Sequence, residues 1–137
     1  MNLQERIEIA KRTQTRSNCA GAAFFILGIH PRDEVIDIIP TLDYHKAENP
    51  PPLEFIKDMD KITEPIHGVV VLFRYIVMNN LPHHMGVIIE RDGQLNIVHR
   101  KGDYDLAREV IEEDLKTVEE YYTSLKYIKE YYTPRNK

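Results

Sequence analysis

The sequence lacks the features that mark several common classes of protein. It has one cysteine in 137 residues, so the chain can form no internal disulfide and no cysteine-based metal site. Its longest apolar runs, 20–29 and 69–73, fall short of the roughly 20 residues that a membrane-spanning helix needs. No apolar h-region with a cleavage site opens the chain. We therefore expect a soluble protein without a membrane span, cytoplasmic as the sequence stands, with export by another route left open.

The sequence also has no concentration of one sign of charge. Its 18 Lys and Arg residues and 22 Asp and Glu residues give a formal net charge of −4, and the two signs are interspersed. Surfaces that bind DNA or RNA usually carry a basic patch or stripe. The charge pattern thus disfavours nucleic acid as a partner. It says nothing about the oligomeric state.

Two helical patterns come first in the chain. Its length fits a single domain spanning residues 1–137, because one core usually serves about 100–150 residues. Residues 3–12 have the apolar spacing of an amphipathic helix. Residues 19–27 are apolar on every side, which is typical of a helix buried at the centre of a small domain.

Strand patterns follow the helices. Residues 68–77 are β-branched and apolar, which predicts a strand buried on both faces. Apolar runs flank Asp92-Gly93, a strong signal for a β-hairpin. A helical stretch at 112–122 and a last strand at 125–132, suited to an exposed sheet edge, complete the chain. The order predicts an α+β fold in which the buried, cysteine-bearing helix packs on an antiparallel sheet.

The lone cysteine opens the predicted buried helix. Asn18 is a good N-cap, so Cys19 is placed in the first turn, where unpaired N–H groups and the helix dipole favour a thiolate. Its own N–H could also help to bind an oxyanion. A cysteine beside small apolar residues is more often core packing, so on its own Cys19 is weak evidence for catalysis.

Counting outward from the hairpin turn selects two histidines. A two-residue turn at Asp92-Gly93 pairs Gly86 with His99 and places His84 diagonal to His99 on the same face. Diagonal neighbours lie roughly 7–8 Å apart, within reach of one hydrogen bond between two imidazole rings. His83 points the other way. Either selected histidine could instead be a half-buried or turn-edge residue without a catalytic role.

The three residues together predict thiol catalysis. Core packing does not require a thiol at a helix start together with two histidines on one sheet face. In the nucleophile, base and orienter arrangement, Cys19 attacks a carbonyl, His84 takes the proton and His99 holds His84 in the productive tautomer. The expected reaction is hydrolysis or transfer at an amide, ester or thioester carbonyl, without a cofactor.

Four stretches follow one another along the chain: Asn18-Cys19-Ala20-Gly21, His67 to Phe73, His84 to Ile89 and Ile97-Val98-His99. In this order they resemble the motifs of the NlpC-type cell-wall endopeptidases, which are compact papain-like cysteine hydrolases. The resemblance implies the roles already given to Cys19, His84 and His99, a papain-like fold, and a peptide, amide or acyl substrate. A cell-wall peptide is implied by the resemblance alone.

The chain departs from the family pattern near the cysteine. Asn18 replaces the usual Asp and Ala20 the usual Ser, and no tyrosine precedes Cys19. Gln14 is a second oxyanion candidate, because a glutamine upstream of the cysteine supplies such a donor in papain-like proteases. A solvated loop glutamine explains Gln14 about as well.

Two other functions fit parts of the pattern. A catalytically inactive papain-like module could bind a peptide, lipid or protein through the same groove. Histidines 67, 83, 84 and 99 could bind a divalent metal, although adjacent histidines on a strand face opposite ways. The acidic pair Glu112-Glu113 is most simply a solvated helix face, and the Tyr121-Tyr122 pair half-buried packing.

Overall fold

The described part of the chain contains three α-helices, one short 3-10 helix at Ile76–Met78 and six strands. The computed structural model describes residues 1–12, 17–36, 56–78, 80–101 and 109–135. The helices are α1 Leu3–Arg12, α2 Cys19–Ile26 and α3 Leu115–Ser124. The strands are β1 Met59–Ile62, β2 Val70–Tyr75, β3 Leu81–Arg91, β4 Gln94–Arg100, β5 Val110–Asp114 and β6 Tyr127–Pro134. In these ranges no helix has the length and apolar character that a membrane crossing would need.

All six strands form one antiparallel sheet in the order β1-β6-β2-β3-β4-β5. The predicted α+β class is therefore confirmed. The hairpin turns at Asp92-Gly93, where both residues have positive φ (51° and 79°), as a tight two-residue turn requires. Glu90 pairs with Leu95 and Ile88 with Ile97, as the sequence predicts.

The sheet carries an apolar layer on each face. Residues 70, 72, 85, 87, 89 and 98 of the sheet pack in one cluster with α1 and α2. Alternate positions 69, 71, 73, 88 and 97 pack in a second cluster with Leu115 and Val118 of α3. Because both faces are covered, β2 is buried along most of its length, as its continuous apolar run predicts.

Two predictions about the later part of the chain are wrong. Glu112 and Glu113 lie in β5, and α3 begins only at Leu115, where Asp114 caps the helix by accepting from the Thr117 N–H. The last strand, β6, is not at an edge of the sheet but lies between β1 and β2. In this interior place its Tyr131 and Tyr132 are both buried.

The ladder between β3 and β4 ends before either strand does. At the end of the ladder away from the Asp92-Gly93 turn, the last pair is Val87 with Val98. Beyond that point β3 runs on alongside β2, while His99 and Arg100 of β4 pair with β5. The backbone of β3 before Val87 is therefore available to another element on that side.

Candidate functional site

Cys19 is the first residue of α2, as the sequence predicts. Asn18 caps the helix, since its Oδ1 accepts from the Gly21 N–H at 2.8 Å. The same side chain holds the segment that follows α2, because its Nδ2 donates to the Ile36 carbonyl at 2.6 Å and its Oδ1 accepts from the Ile36 N–H at 3.2 Å. One asparagine thus fixes both the helix start and a neighbouring loop.

The Cys19 sulfur lies against the part of β3 that β4 leaves unpaired. The residue is half-buried, and the backbone N–H of Met85, next to His84, hydrogen-bonds the sulfur. Burial raises the pKa of the Cys19 thiol, and hydrogen bonds from the N–H groups of Met85, Ala20 and Cys19 lower it by less. The pKa of Cys19 is therefore raised, whereas the position at the helix start alone would lower it. The resting group is therefore a thiol.

His84, His99 and Glu113 form a continuous chain of hydrogen bonds across three strands. His84 Nε2 lies 2.7 Å from His99 Nδ1, and His99 Nε2 lies 2.7 Å from Glu113 Oε2. His84 and His99 are both buried, with 6% and 1% of their surface exposed. The bond from His99 to Glu113 joins diagonal neighbours on β4 and β5, because His99 pairs with Ile111 and Glu113 with Ile97.

The chain of hydrogen bonds fixes where the protons are. Burial alone would raise the pKa of Glu113, but the hydrogen bonds from His99 and Lys101 and the charge of Lys101 lower it, so Glu113 is an ionised acceptor. His99 Nε2 must then donate to Glu113. Burial lowers the pKa of His99 despite Glu113, and burial lowers that of His84 further, so both rings are neutral.

A neutral imidazole has one donor and one acceptor nitrogen. His99 Nδ1 is therefore an acceptor, and His84 Nε2 donates to it. His84 Nδ1 is left without a proton. The candidate site thus consists of the Cys19 thiol, bonded to the Met85 N–H, and of the preceding residue on β3, His84, whose Nδ1 is unprotonated.

Aromatic rings set the plane of the His84 ring. Tyr122 of α3 stacks on His84 at 5.5 Å and on Phe73 at 4.3 Å, with interplanar angles of 16° and 20°. Burial raises the pKa of the Tyr122 phenol and the nearby Cys19 sulfur raises it further, so the hydroxyl stays protonated at neutral pH. Tyr122 therefore forms a wall of the site beside both Cys19 and His84.

The sequence found only part of this site. The contact between His84 and His99 is confirmed, and the adjacent His83 is exposed and packs edge-on against Tyr127. Gln14 lies outside the described residues. Glu113 and Tyr122 were missed, although the diagonal rule that joined His84 to His99 would have found Glu113 once residues 110–114 were recognised as a strand.

The described residues give no support to a metal centre. None of their His, Cys, Asp and Glu side chains forms a group of three or more that could hold a metal ion. The nitrogens that join His84 and His99 point at each other rather than at a shared centre.

Comparisons with protein-family models, with curated proteins and with solved structures each found no match.

Proposed function

We propose that the chain is a papain-like cysteine hydrolase or acyltransferase that acts on an amide, ester or thioester carbonyl through a thioester on Cys19. The observation that carries the proposal is the hydrogen-bond chain from Glu113 through His99 to His84, which leaves His84 Nδ1 as an unprotonated base. The resemblance of the motifs around Cys19, His84 and His99 to the NlpC-type endopeptidases supports the same assignment.

The proposed reaction begins from a neutral pair. Because burial raises the pKa of the Cys19 thiol and lowers that of His84, thiol and imidazole are both uncharged at rest. His84 Nδ1 takes the thiol proton as the sulfur attacks the carbonyl carbon. Glu113 stabilises the imidazolium that forms, through His99.

The acyl group then leaves in a second step. The protonated His84 donates its proton to the departing amine, alcohol or thiol, and the acyl group remains on sulfur as a thioester. Water or an acceptor amine, deprotonated by His84, attacks the thioester and restores the Cys19 thiol. The N–H groups of Cys19 and Ala20, which face the sulfur, are the candidates for binding the oxyanion.

An activated ester tests this chemistry without knowledge of the natural substrate. We expect p-nitrophenyl acetate to release a burst of p-nitrophenolate equal to the protein present, and to add one acetyl group to Cys19. Because the chain has one cysteine, any thioester detected by mass spectrometry after proteolysis lies there. His84→Gln should slow the burst by about 10²–10⁴-fold, the usual contribution of a general base.

Two variants serve as controls. Cys19→Ala measures acetylation of other groups, and His83→Gln changes the exposed neighbour of the proposed base and should leave the burst intact. A His83 variant that lost the burst while the His84 variant kept it would refute the assigned base. Absence of any burst from the intact protein would favour the inactive binding module instead.

A further inference from the structure

A buried ion pair lies on the other side of β4 from the hydrogen-bonded histidines. Arg100 Nη2 lies 2.6 Å from Asp33 Oδ2, and each side chain is only 4% exposed. Arg100 directly follows His99 on β4, so the two side chains point to opposite faces of the sheet. The pair therefore attaches a loop to the strand that carries the proposed orienting histidine.

The loop that contains Asp33 encloses the start of α2. Ser17 donates to Asp33 Oδ1, and Asn18 exchanges two hydrogen bonds with Ile36. The fit is close at the first turn of the helix, because a Cβ added at Gly21 would lie 1.9 Å from the Glu34 carbonyl oxygen. Asp33, Glu34 and Ile36 thus contact the segment from Ser17 to Gly21 and hold the helical turn that begins with Cys19.

Stability alone does not explain a buried ion pair. Removing two charges from water costs about as much as their attraction returns, so an apolar pair of similar volume is often equally stable. What this pair supplies is a link between two segments, because Asp33 binds Ser17 with one carboxylate oxygen and Arg100 with the other. Here the geometry joins Ser17, two residues before the sulfur, to Arg100, one residue after His99.

We propose that Asp33 and Arg100 are positioning residues for the thiol chemistry, an inference that rests on the proposed function. Through Ser17, and through the loop whose Ile36 binds Asn18, they hold the α2 start, and with it Cys19, at a set place relative to the strand of His99 and hence to His84. Neither residue touches the reacting atoms. Their loss should lower the rate of acylation with little effect on how the ester binds.

The experiment replaces the pair without leaving a lone buried charge. Asp33→Leu/Arg100→Met keeps the approximate volume and removes both charges. We expect its acylation rate constant with p-nitrophenyl acetate to fall roughly 10- to 100-fold, the effect of a misplacement near 1 Å, while the ester concentration at half-maximal rate stays unchanged. Arg100→Lys keeps the positive charge but loses the planar set of guanidinium donors. Its acylation rate should lie between those of the double variant and the wild type.

A second buried ion pair provides the matched control. Arg74 and Glu130, with 8% and 13% of their side chains exposed, join β2 to β6, two strands that carry none of Cys19, His84, His99 and Glu113. Arg74→Met/Glu130→Leu should change the melting temperature by a similar amount and leave acylation at the wild-type rate. A purely structural role for Asp33 and Arg100 would make the two double variants behave alike.

The outcomes separate the inference from the function on which it rests. A wild-type burst that depends on His84 but persists at full rate in both Arg100 variants would overturn the positioning role alone. If Asp33→Leu/Arg100→Met does not fold, Arg100→Lys decides by itself, and an unchanged rate there overturns the role. A wild-type protein with no burst overturns both the function and the positioning role.

Discussion

His84 and His99 stand 15 positions apart in the sequence, yet their Nε2 and Nδ1 atoms lie 2.7 Å apart in the sheet. Two imidazoles this close can share one proton only if one ring donates and the other accepts. The carboxylate of Glu113 at the far end decides which ring does which. The charge of a β5 residue thereby determines the basicity of a nitrogen on β3.

Replacing Glu113 should therefore make His84 Nδ1 a poorer base, although Glu113 does not contact His84 directly. In Glu113→Gln the amide can donate to His99 Nε2, which reverses both tautomers and places a proton on His84 Nδ1. We expect ester acylation of Cys19 to slow by about 10²-fold or more, as in other triads that lose the orienting carboxylate. Burst kinetics with p-nitrophenyl acetate measure the effect.

The neighbouring glutamate is the control for this substitution. Glu112 directly precedes Glu113 in β5, so its side chain points to the opposite face of the sheet, where it binds Arg91 and Asn96. Glu112→Gln should lower stability slightly and leave acylation unchanged. Equal rates in the Glu112 and Glu113 variants would remove Glu113 from the mechanism.

The buried histidines should make stability depend on pH. Burial lowers the pKa of His84 well below its ordinary 6.5, and that of His99 in the same direction. The unfolded chain therefore binds protons that the folded chain does not, and stability falls as pH drops below about 6.5. Urea unfolding between about pH 7 and pH 5 should show a declining free energy, before carboxylates begin to titrate.

A histidine variant identifies the source of that decline. His84→Phe keeps an aromatic ring against Phe73 and Tyr122 and removes one titrating group, so its unfolding free energy should vary less over the same pH range. His83→Gln alters an exposed residue and should keep the full dependence. A flat wild-type curve over this range would mean that the histidines are accessible to protons.

Two substitutions of Tyr122 separate its ring from its hydroxyl. Tyr122→Phe keeps the stacking on His84 and Phe73, whereas Tyr122→Ala removes it at about 0.5–1.5 kcal/mol for each aromatic pair. We expect the Phe variant to retain the wild-type acylation rate and the Ala variant to lose both stability and rate. Loss of rate in the Phe variant, with stability intact, would assign a chemical role to the hydroxyl.

Gly86 leaves room for the histidine pair. A Cβ at this position would lie 2.6 Å from Ile97 Cγ1 and 2.9 Å from His99 Cβ. Gly86→Ala should lower the free energy of unfolding by about 1–3 kcal/mol through overpacking and should slow acylation by displacing His99. Thermal and urea unfolding measure the first effect. In a double-mutant cycle, the stability lost in Gly86→Ala/Ile97→Ala should be smaller than the sum of the two single losses, and a fully stable Gly86→Ala variant would show that the strands move apart freely.

Local patterns predicted the parts of the fold that local physics determines. The periodicity of 3–12, the apolar helix from Cys19 and the Asp92-Gly93 turn each depend on residues close in sequence, and the structure has all three. The parity of the hairpin was enough to select His84 over His83. The choice of His84 and its contact with His99 thus followed from counting residues along two strands.

The remainder depended on contacts between distant segments. Strand β1 (Met59–Ile62) was not predicted, because it forms by pairing with β6, more than 60 residues later. Glu113 looked like a solvated helix residue, since two adjacent carboxylates before an amphipathic stretch carry no sign of the neighbouring strand. The raised pKa of Cys19 likewise reflects tertiary burial, which outweighs the local effect of the helix start.

The interior place of β6 has a consequence for biosynthesis. The strand is the last of the described six to leave the ribosome, yet it separates β1 from β2 and hydrogen-bonds to both. Until it is made, the apolar β2 presents an open edge to which strands of other nascent chains can add. We therefore expect incomplete chains to associate at that edge.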